Sequence, residues 1–208
     1  MLTQLLEKDN IERIVKILEE DGIVAIPTDT VYGLAIKSDS EALYKKLVRA
    51  KGRPEDKPFP LMVSSTQQLN QLVDMDPMTQ HMVKHFMPGA ITFIFKKKPS
   101  VFPFLKNQDT LGIRMADDLW VHSIIEKLGA PLWLPSANKS GDPTGTSSDE
   151  VYKNLKDEIE GIVIGESLKK TSSTVVDLSV FPYKILREGP ITKEDIENQV
   201  KKYLENIE

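Results

Sequence analysis

Short apolar runs typical of buried strands alternate with longer, helix-like segments along this chain. Residues 23–26 (IVAI) follow a stretch, residues 11–20, in which apolar side chains recur at helical spacing and which Gly22 can end. Residues 91–95 (ITFIF) form a second such strand, after a helix predicted to begin at Pro77. This alternation predicts an α/β fold built on a twisted sheet. Because several predicted strands follow one another with no helix between them, we expect a mixed sheet.

The predicted elements fill nearly the whole chain, and nothing divides them into separate domains. No internal repeat, low-complexity tract or linker interrupts the 208 residues, so we expect one domain spanning residues 1–208. Polar segments marked by Gly and Pro recur at the strand ends, where α/β proteins commonly bind ligands. Further strands are predicted at residues 61–63, 111–115, 132–134, 162–164, 174–178 and 184–187, and further helices at residues 40–50, 119–128, 148–155 and 192–204, with one more beginning at Thr66.

Composition argues against several classes of site. The chain has no cysteine, which removes disulfides, thiolate metal sites and cysteine nucleophiles and fits a cytoplasmic protein. No apolar run approaches the roughly 20 residues that span a bilayer, and no secretory signal is visible at the start. Walker A and G-x-G-x-x-G patterns are absent. His81 and His85 stand four residues apart with no carboxylate between them, so we expect helix surface and no metal held by protein side chains.

Charge is unevenly distributed along the chain. The net charge is −4, from 27 Lys and Arg against 31 Asp and Glu, which argues against a dedicated nucleic-acid binder. Basic side chains are nevertheless crowded between Lys45 and Lys57, where six of them are diluted only by Glu55 and Asp56. This cluster favours a small anionic ligand, and Arg53 adds a planar pair of donors suited to phosphate. The alternative is that these cations only complement the dipole at a helix C-terminus.

Four other polar segments also allow a ligand-binding interpretation. Each joins a predicted strand to hydroxyl, amide, carboxylate or cationic side chains; they are residues 27–34 (PTDTVYGL), 134–146 (LPSANKSGDPTGT), 172–177 (SSTVVD) and 186–189 (LREG). Dense donors and acceptors at strand ends can surround a ligand. The same residue types also favour ordinary turns for local reasons, so composition leaves both interpretations open for each segment.

The order of these segments resembles the YrdC family. PTDTVYGL, KGRP with Lys57-Pro58, PGAIT at residues 88–92, GIRM at residues 112–115, PSAN, STVVD and REG follow one another between about residues 22 and 191. The resemblance implies a twisted mixed sheet with flanking helices around a basic concave cleft. Within the family the chain is similar to the short, TsaC-type threonylcarbamoyl-AMP synthases, so an extra C-terminal domain is not expected.

The resemblance also implies a reaction. A synthase of this type would make threonylcarbamoyl-AMP and pyrophosphate from L-threonine, bicarbonate or CO2, and ATP with Mg2+, for threonylcarbamoyladenosine (t6A) modification of tRNA. The implied partner is a tRNA threonylcarbamoyl transferase complex; a weak contact with RNA is left open, and a cytoplasmic location without membrane association is expected. The alternatives are a non-catalytic, RNA-binding YrdC-like protein, a paralogue, or another carbamoyl or phosphate-sugar enzyme on the same scaffold.

Functional residues follow from the resemblance, motif by motif. Those expected to contact L-threonine are Thr30, Arg114 and Ser173. Those expected to bind ATP are Lys51, Arg53, Lys57, Thr110, Ser136, Asn138, Thr144 and Arg187. Of these, Lys51, Arg53, Lys57 and Arg187 are expected on the phosphates, and Lys51 and Arg53 are expected to act in catalysis. No contact is assigned to residues 62–64, because the segment before them is longer here than in some members of the family.

Overall fold

The computed structural model describes residues 2–52 and 58–206. Over these residues the predicted alternation of strands and helices is confirmed, and none of the described helices is long and apolar enough to cross a membrane. The elements, in chain order, are β1 (Gln4–Leu6), α1 (Ile11–Glu19), β2 (Val24–Ile26), β3 (Gly33–Lys37), α2 (Glu41–Lys51), β4 (Leu61–Met62), α3 (Thr66–Leu72), α4 (Pro77–Phe86), β5 (Ile91–Lys96), β6 (Thr110–Arg114), α5 (Leu119–Leu128), β7 (Leu132–Trp133), α6 (Ser148–Leu155), β8 (Gly161–Val163), β9 (Thr174–Asp177), β10 (Lys184–Arg187) and α7 (Lys193–Glu205).

The strands form one ten-stranded sheet in the order β1-β8-β2-β3-β7-β4-β6-β5-β9-β10. The pairs β1–β8, β2–β8, β4–β6 and β5–β9 are parallel, and the other neighbouring pairs are antiparallel. The predicted mixed sheet is therefore confirmed. The prediction lacks β1 and β3, since β1 has only three residues, two of them exposed, and β3 begins inside the polar PTDTVYGL segment.

Alternation along the central strands sends side chains into two separate cores. In β2, Val24 and Ile26 pack with α1 and α5, whereas Ala25 joins the larger core that contains side chains of the other five helices. Because successive side chains of a strand point to opposite faces, the two cores lie on opposite sides of the sheet. Fully burying one aliphatic side chain contributes about 1.5–3 kcal/mol, so the two cores stabilise the sheet around β2 from both faces.

Helices cover the first of these faces only in part. The core that contains α1 and α5 takes side chains from β1, β2, β3, β4, β7 and β8, and among the described residues it takes none from β5, β6 or β9. In β5, Ile91, Phe93 and Phe95 join the larger core, so Thr92 and Ile94 point to the opposite face. On that face, β5, β6 and β9 are left available to line a cavity.

Helix α2 begins and ends at residues that the sequence marks. Ser40 caps it by accepting a hydrogen bond from the Leu43 amide, and Gly52 ends it with a left-handed backbone at φ +56°. Leu43, Leu47 and Lys51 recur at a spacing of four and are all buried. The last residue of the helix, Lys51, therefore points inward, which a lysine at a helix end seldom does.

Candidate active site

A cavity of about 400 Å³ lies over the partly uncovered face of the sheet, a size typical of small-molecule sites. Outward-facing positions of β5, β6 and β9 line it, together with parts of residues 28–33, 58–62 and 134–136. The structure brings six of the predicted site residues to this one cavity: Thr30, Thr110, Arg114, Ser136, Ser173 and Arg187.

Arg114, the last residue of β6, is held in one orientation by three partners. Its Nη2 donates to the two carboxylate oxygens of Asp29, at 2.5 and 2.6 Å. Its Nη1 donates to Thr30 Oγ1 at 2.5 Å, and its Nε donates to the Gly89 carbonyl at 3.0 Å. Burial lowers the pKa of Arg114, and the Asp29 carboxylate opposes that shift because it favours the charged guanidinium.

The PGAIT segment supports Arg114 through a close backbone approach at Gly89. A Cβ atom at Gly89 would lie 2.4 Å from the Phe86 carbonyl oxygen, so the chain can take this path only with glycine. The Gly89 amide donates to the Met115 carbonyl at 2.8 Å, next to the end of β6. The segment therefore fixes both the strand end and the Arg114 side chain before it continues into β5.

Asp29 is a site residue that the sequence analysis missed. Its side chain is 2% exposed and does not line the cavity, and both of its carboxylate oxygens are directed at Arg114. A carboxylate between two threonines after a buried strand does signal a buried partner, because an unpaired buried charge is costly. The sequence cannot say which of 27 cations is that partner, since the pairing depends on the tertiary fold.

Hydroxyl groups from three segments complete the polar lining. Thr28 Oγ1 lies 3.0 Å from Thr30 Oγ1 and donates to the Val31 carbonyl at 2.8 Å. Thr92 Oγ1 lies 2.8 Å from Ser173 Oγ across the pair of strands β5 and β9. Thr28 and Thr92 were not assigned roles from the sequence, although the alternation of β5 would have placed Thr92 on the face opposite to its phenylalanines.

Arg187 lies beside Ser173, and the REG motif explains its position. Its Nε and Nη2 both donate to the Ser173 carbonyl, at 3.0 and 2.8 Å. Partial burial lowers the pKa of Arg187. A Cβ atom at Gly189 would lie 2.4 Å from the Ser172 carbonyl oxygen, so glycine is required for the REG segment to pack against the SSTVVD segment. That packing is what brings Arg187 to the cavity.

Lys51 occupies a different environment from the one expected of a phosphate ligand. Its ammonium donates to the carbonyls of Ser136 and Asn138, each at 2.6 Å, and to Asn138 Oδ1 at 3.1 Å. It does not line the cavity. A direct contact of Lys51 with phosphate therefore stays a prediction, as does its catalytic role.

Two further predicted ATP residues, Asn138 and Thr144, are not part of the described cavity lining. Asn138 is buried and donates through Nδ2 to the carbonyls of Lys139 and Asp142, at 2.9 and 2.7 Å. Thr144 is half-buried and lies outside the cavity lining. Arg53 and Lys57 fall outside the described residues, so their phosphate contacts stay predictions.

The described lining contains two cations, Arg114 and Arg187, and no carboxylate. The basic character of the whole cleft stays a prediction, since the predicted basic cluster is only partly described. Within residues 2–52 and 58–206, no group of three or more His, Asp or Glu side chains is placed to hold a metal ion. The cavity as described is thus suited to anionic ligands and provides no carboxylate ligands for a metal.

Comparison with known proteins gives a consistent result. The Sua5/YciO/YrdC family model, described as telomere recombination, matches residues 16–189. The chain is 37% identical over 185 residues to threonylcarbamoyl-AMP synthase of Bacillus subtilis (strain 168), covering 87% of this chain and 54% of that protein. It is 36% identical over 186 residues to threonylcarbamoyl-AMP synthase of Pyrococcus abyssi, covering 88% and 55%. The chain thus spans about half the length of these relatives.

Solved structures extend the likeness to the fold. The crystal structure of P. abyssi Sua5 complexed with L-threonine matches with a TM-score of 0.87 and 33% identity, over 96% of this chain and 60% of that one. E. coli YciO matches with a TM-score of 0.83 and 25% identity, over 91% of this chain and 97% of that one. The family that the order of motifs suggests is confirmed: this chain is a member of the Sua5/YciO/YrdC family.

Proposed function

We propose that this chain is an L-threonylcarbamoyladenylate synthase, which joins L-threonine, bicarbonate or CO2, and ATP into threonylcarbamoyl-AMP with release of pyrophosphate. The observation that carries the proposal is one cavity that holds Arg114 with Thr30 and Arg187 with Ser173. Two anionic reactants could be held there side by side. The likeness to a Sua5 crystallised with L-threonine and to two threonylcarbamoyl-AMP synthases supports the same reaction.

The threonine end of the site is assigned to Arg114, Thr30 and Ser173. A guanidinium has five N–H donors, and Asp29, Thr30 and Gly89 accept at most four of them. At least one donor is left for the carboxylate of an amino acid. The hydroxyls of Thr30 and Ser173 can form further hydrogen bonds with the substrate hydroxyl, so a ligand that lacks that hydroxyl would lose these bonds inside the cavity.

The nucleotide end is assigned to Thr110, Ser136 and Arg187 within the described lining, with Arg53 and Lys57 expected on the phosphates. Arg187 is partly buried and offers charge-assisted hydrogen bonds to a phosphate oxygen. Since no carboxylate lines the described cavity, Mg2+ would enter on ATP, with phosphate and water oxygens as its ligands. The ion would supply neutralisation of charge on the phosphates.

The chemistry needs little from protein side chains beyond position and charge. The threonine amine and bicarbonate form an N-carboxylate with loss of water. One oxygen of that N-carboxylate then attacks the α-phosphorus of ATP, and the bond to the β-phosphate bridging oxygen breaks. The attacking oxygen is already anionic, so this step needs no general base. Cations that neutralise the leaving pyrophosphate and fixed orientation of the reactants supply the acceleration.

Two further features complete the proposal. The product is a mixed anhydride, so it would be consumed by an enzyme that transfers the threonylcarbamoyl group to adenosine of tRNA. A cytoplasmic location would fit that use.

The test is pyrophosphate release from Mg2+ and ATP by the purified chain, with threonine or bicarbonate omitted in turn. We expect release only when both are present. Arg187→Ala should reduce release at least tenfold, since about 1.5–3 kcal/mol of charged hydrogen bonding is lost, whereas Arg13→Ala, which loses only contacts to Gln4 on the surface, should retain it. No release from folded protein in any mixture would favour the non-catalytic, RNA-binding alternative.

A further inference from the structure

We propose that Lys51 is a positioning residue, which fixes the 135–142 loop and acts on the nucleotide through that loop, without contacting phosphate. The effect on nucleotide binding rests on the proposed function, whereas the positioning of the loop rests on the geometry alone. Lys51 is 2% exposed, and its ammonium has three donors. Three oxygens of the loop accept from it, at 2.6, 2.6 and 3.1 Å. These contacts account for its full donor capacity.

The backbone of Lys51 contributes a further contact to the same loop. Its carbonyl accepts a hydrogen bond from the Ser140 amide at 2.9 Å. Lys51 therefore binds the loop by both side chain and main chain, at positions more than 80 residues away in sequence. Helix α2 holds the loop in this way at its C-terminal end, where the chain leaves the helix through Gly52.

The loop passes this constraint directly to the cavity. Ser136 lines the cavity, and its carbonyl is one of the oxygens bound by Lys51. Ser136 Oγ donates to Asn138 Oδ1 at 2.6 Å, which is also an acceptor of Lys51. Asn138 Nδ2 in turn donates to the carbonyls of Lys139 and Asp142. Displacement of the Lys51 ammonium would therefore remove hydrogen bonds to the Ser136 carbonyl and to Asn138, and would loosen the turn at residues 138–142 that the Asn138 side chain holds.

Electrostatics also favours this role over a phosphate contact. A buried ammonium that moved away to reach a phosphate would give up three hydrogen bonds to loop oxygens, and the loss of buried hydrogen bonds to a charged group is costly. Arg187, in contrast, keeps part of its side chain accessible to solvent and already borders the cavity. Arg187 can therefore contact a ligand directly, whereas Lys51 positions the loop that forms part of the cavity wall.

Equilibrium binding of adenosine, AMP and ATP by Lys51→Met distinguishes the two roles. A positioning residue affects the loop, so we expect the affinity for adenosine and for ATP to fall by the same factor, about tenfold for the loss of charge-assisted hydrogen bonds. Lys51→Arg should not restore affinity, because a planar guanidinium does not fit a compact three-oxygen site. Lys16→Met, on the exposed side of α1, serves as the charge control and should leave all three affinities unchanged.

Two measurements keep the inference testable apart from the proposed function. Hydrogen exchange of amides 136–142 should accelerate in Lys51→Met and not in Lys16→Met, whether or not any nucleotide binds. In the wild-type chain, an amine-acylating reagent should modify Lys16 and leave Lys51 unmodified without nucleotide. The inference would be overturned by an ATP-specific loss with adenosine affinity intact, by unchanged loop exchange, or by a Lys51 that reacts freely and is protected by ATP. Absence of nucleotide binding by the wild type would overturn the proposed function alone.

Discussion

Removal of Asp29 should cost far more stability than removal of an ordinary polar side chain. Its carboxylate and the Arg114 guanidinium are 2% and 6% exposed, and two contacts of 2.5 and 2.6 Å join them. Asp29→Ala leaves a buried cation without its counter-charge, which costs about 3–5 kcal/mol. A domain of this size has a net stability of about 5–15 kcal/mol, so the variant would lose a large fraction of it.

Two companion variants isolate the cause. Asp29→Asn keeps the size and one acceptor but not the charge, and should cost about 1.5–3 kcal/mol. Asp29→Ala with Arg114→Met removes both charges, and replacement of a buried ion pair by apolar side chains is often close to neutral. The double variant should therefore be more stable than Asp29→Ala alone, although it should no longer bind threonine.

Urea unfolding at neutral pH measures these differences, with the slope of the transition checked for two-state behaviour. An Asp29→Ala variant whose stability lies within about 0.5 kcal/mol of the wild type, the range of an ordinary surface change, would contradict this expectation. A double variant that is less stable than Asp29→Ala would contradict it as well. For the Asp29→Asn enzyme we further expect a raised KM for threonine with KM for ATP unchanged, because only the orientation of Arg114 is lost.

Three further predictions concern other parts of the chain. Gly189→Ala should displace Ser173 and Arg187, because the added Cβ would lie 2.4 Å from a backbone oxygen; pyrophosphate release should fall by up to about 10²-fold while circular dichroism shows the fold retained. The Thr192 hydroxyl and amide lower the pKa of Asp195 below its usual 3.8, so this capping contribution is present above that pH and is lost as pH falls through the lower, folded value. Protection of the α7 amides from hydrogen exchange, measured relative to the intrinsic exchange rate at each pH, should therefore fall at acid pH in the wild type, and already at neutral pH in Asp195→Asn. In the pyrophosphate-release assay, valine should be used about 10⁴-fold less efficiently than threonine, because it lacks the hydroxyl. Serine, which lacks only a methyl group, should be used about 10- to 200-fold less efficiently than threonine. Equal turnover of valine and threonine would contradict the proposed pocket.

Patterns of alternation made most of the fold predictable. β5 follows from Ile91, Phe93 and Phe95, whose spacing of two predicts one buried face. The helix predicted at residues 192–204 is present, and Thr192 and Asp195 cap its start with both reciprocal hydrogen bonds. β1 could not be predicted in this way, because three residues with two exposed side chains carry no period, and its pairing with β8 depends on residues far along the chain.

The candidate site was predictable where a residue's own strand sets its direction. Thr110, Gly112 and Arg114 alternate with Leu111 and Ile113, so one face of β6 had to carry the polar set. Resemblance identified most of these residues, and periodicity explains their common orientation.

The burial of Lys51 could not be predicted from its helix alone. Its spacing of four from Leu47, and of eight from Leu43, places it on the buried stripe of α2. A lysine at a helix end is nevertheless usually solvated, so the sequence alone favours an exposed Lys51 despite its spacing from Leu47. The oxygens that reverse the balance belong to Ser136 and Asn138, so they become visible only in the folded chain.

The position of the cavity follows from unequal covering of a single sheet. Side chains of α1 and α5 form a core with β1, β2, β3, β4, β7 and β8 on one face, whereas described residues of β5, β6 and β9 reach only the opposite core. Within the described residues no helix packs on that uncovered face, so an apolar side chain there, such as Ile94, is only partly removed from water. Hydroxyls and an ion-paired arginine cost less in such a place, because they satisfy one another, as Thr92 does with Ser173 and Arg114 with Asp29. Because helices cover only part of this face of the sheet, polar side chains of β5, β6 and β9 remain there in fixed positions for a ligand. The alternation of side chains along these strands therefore determines both the core on one face and the site on the other.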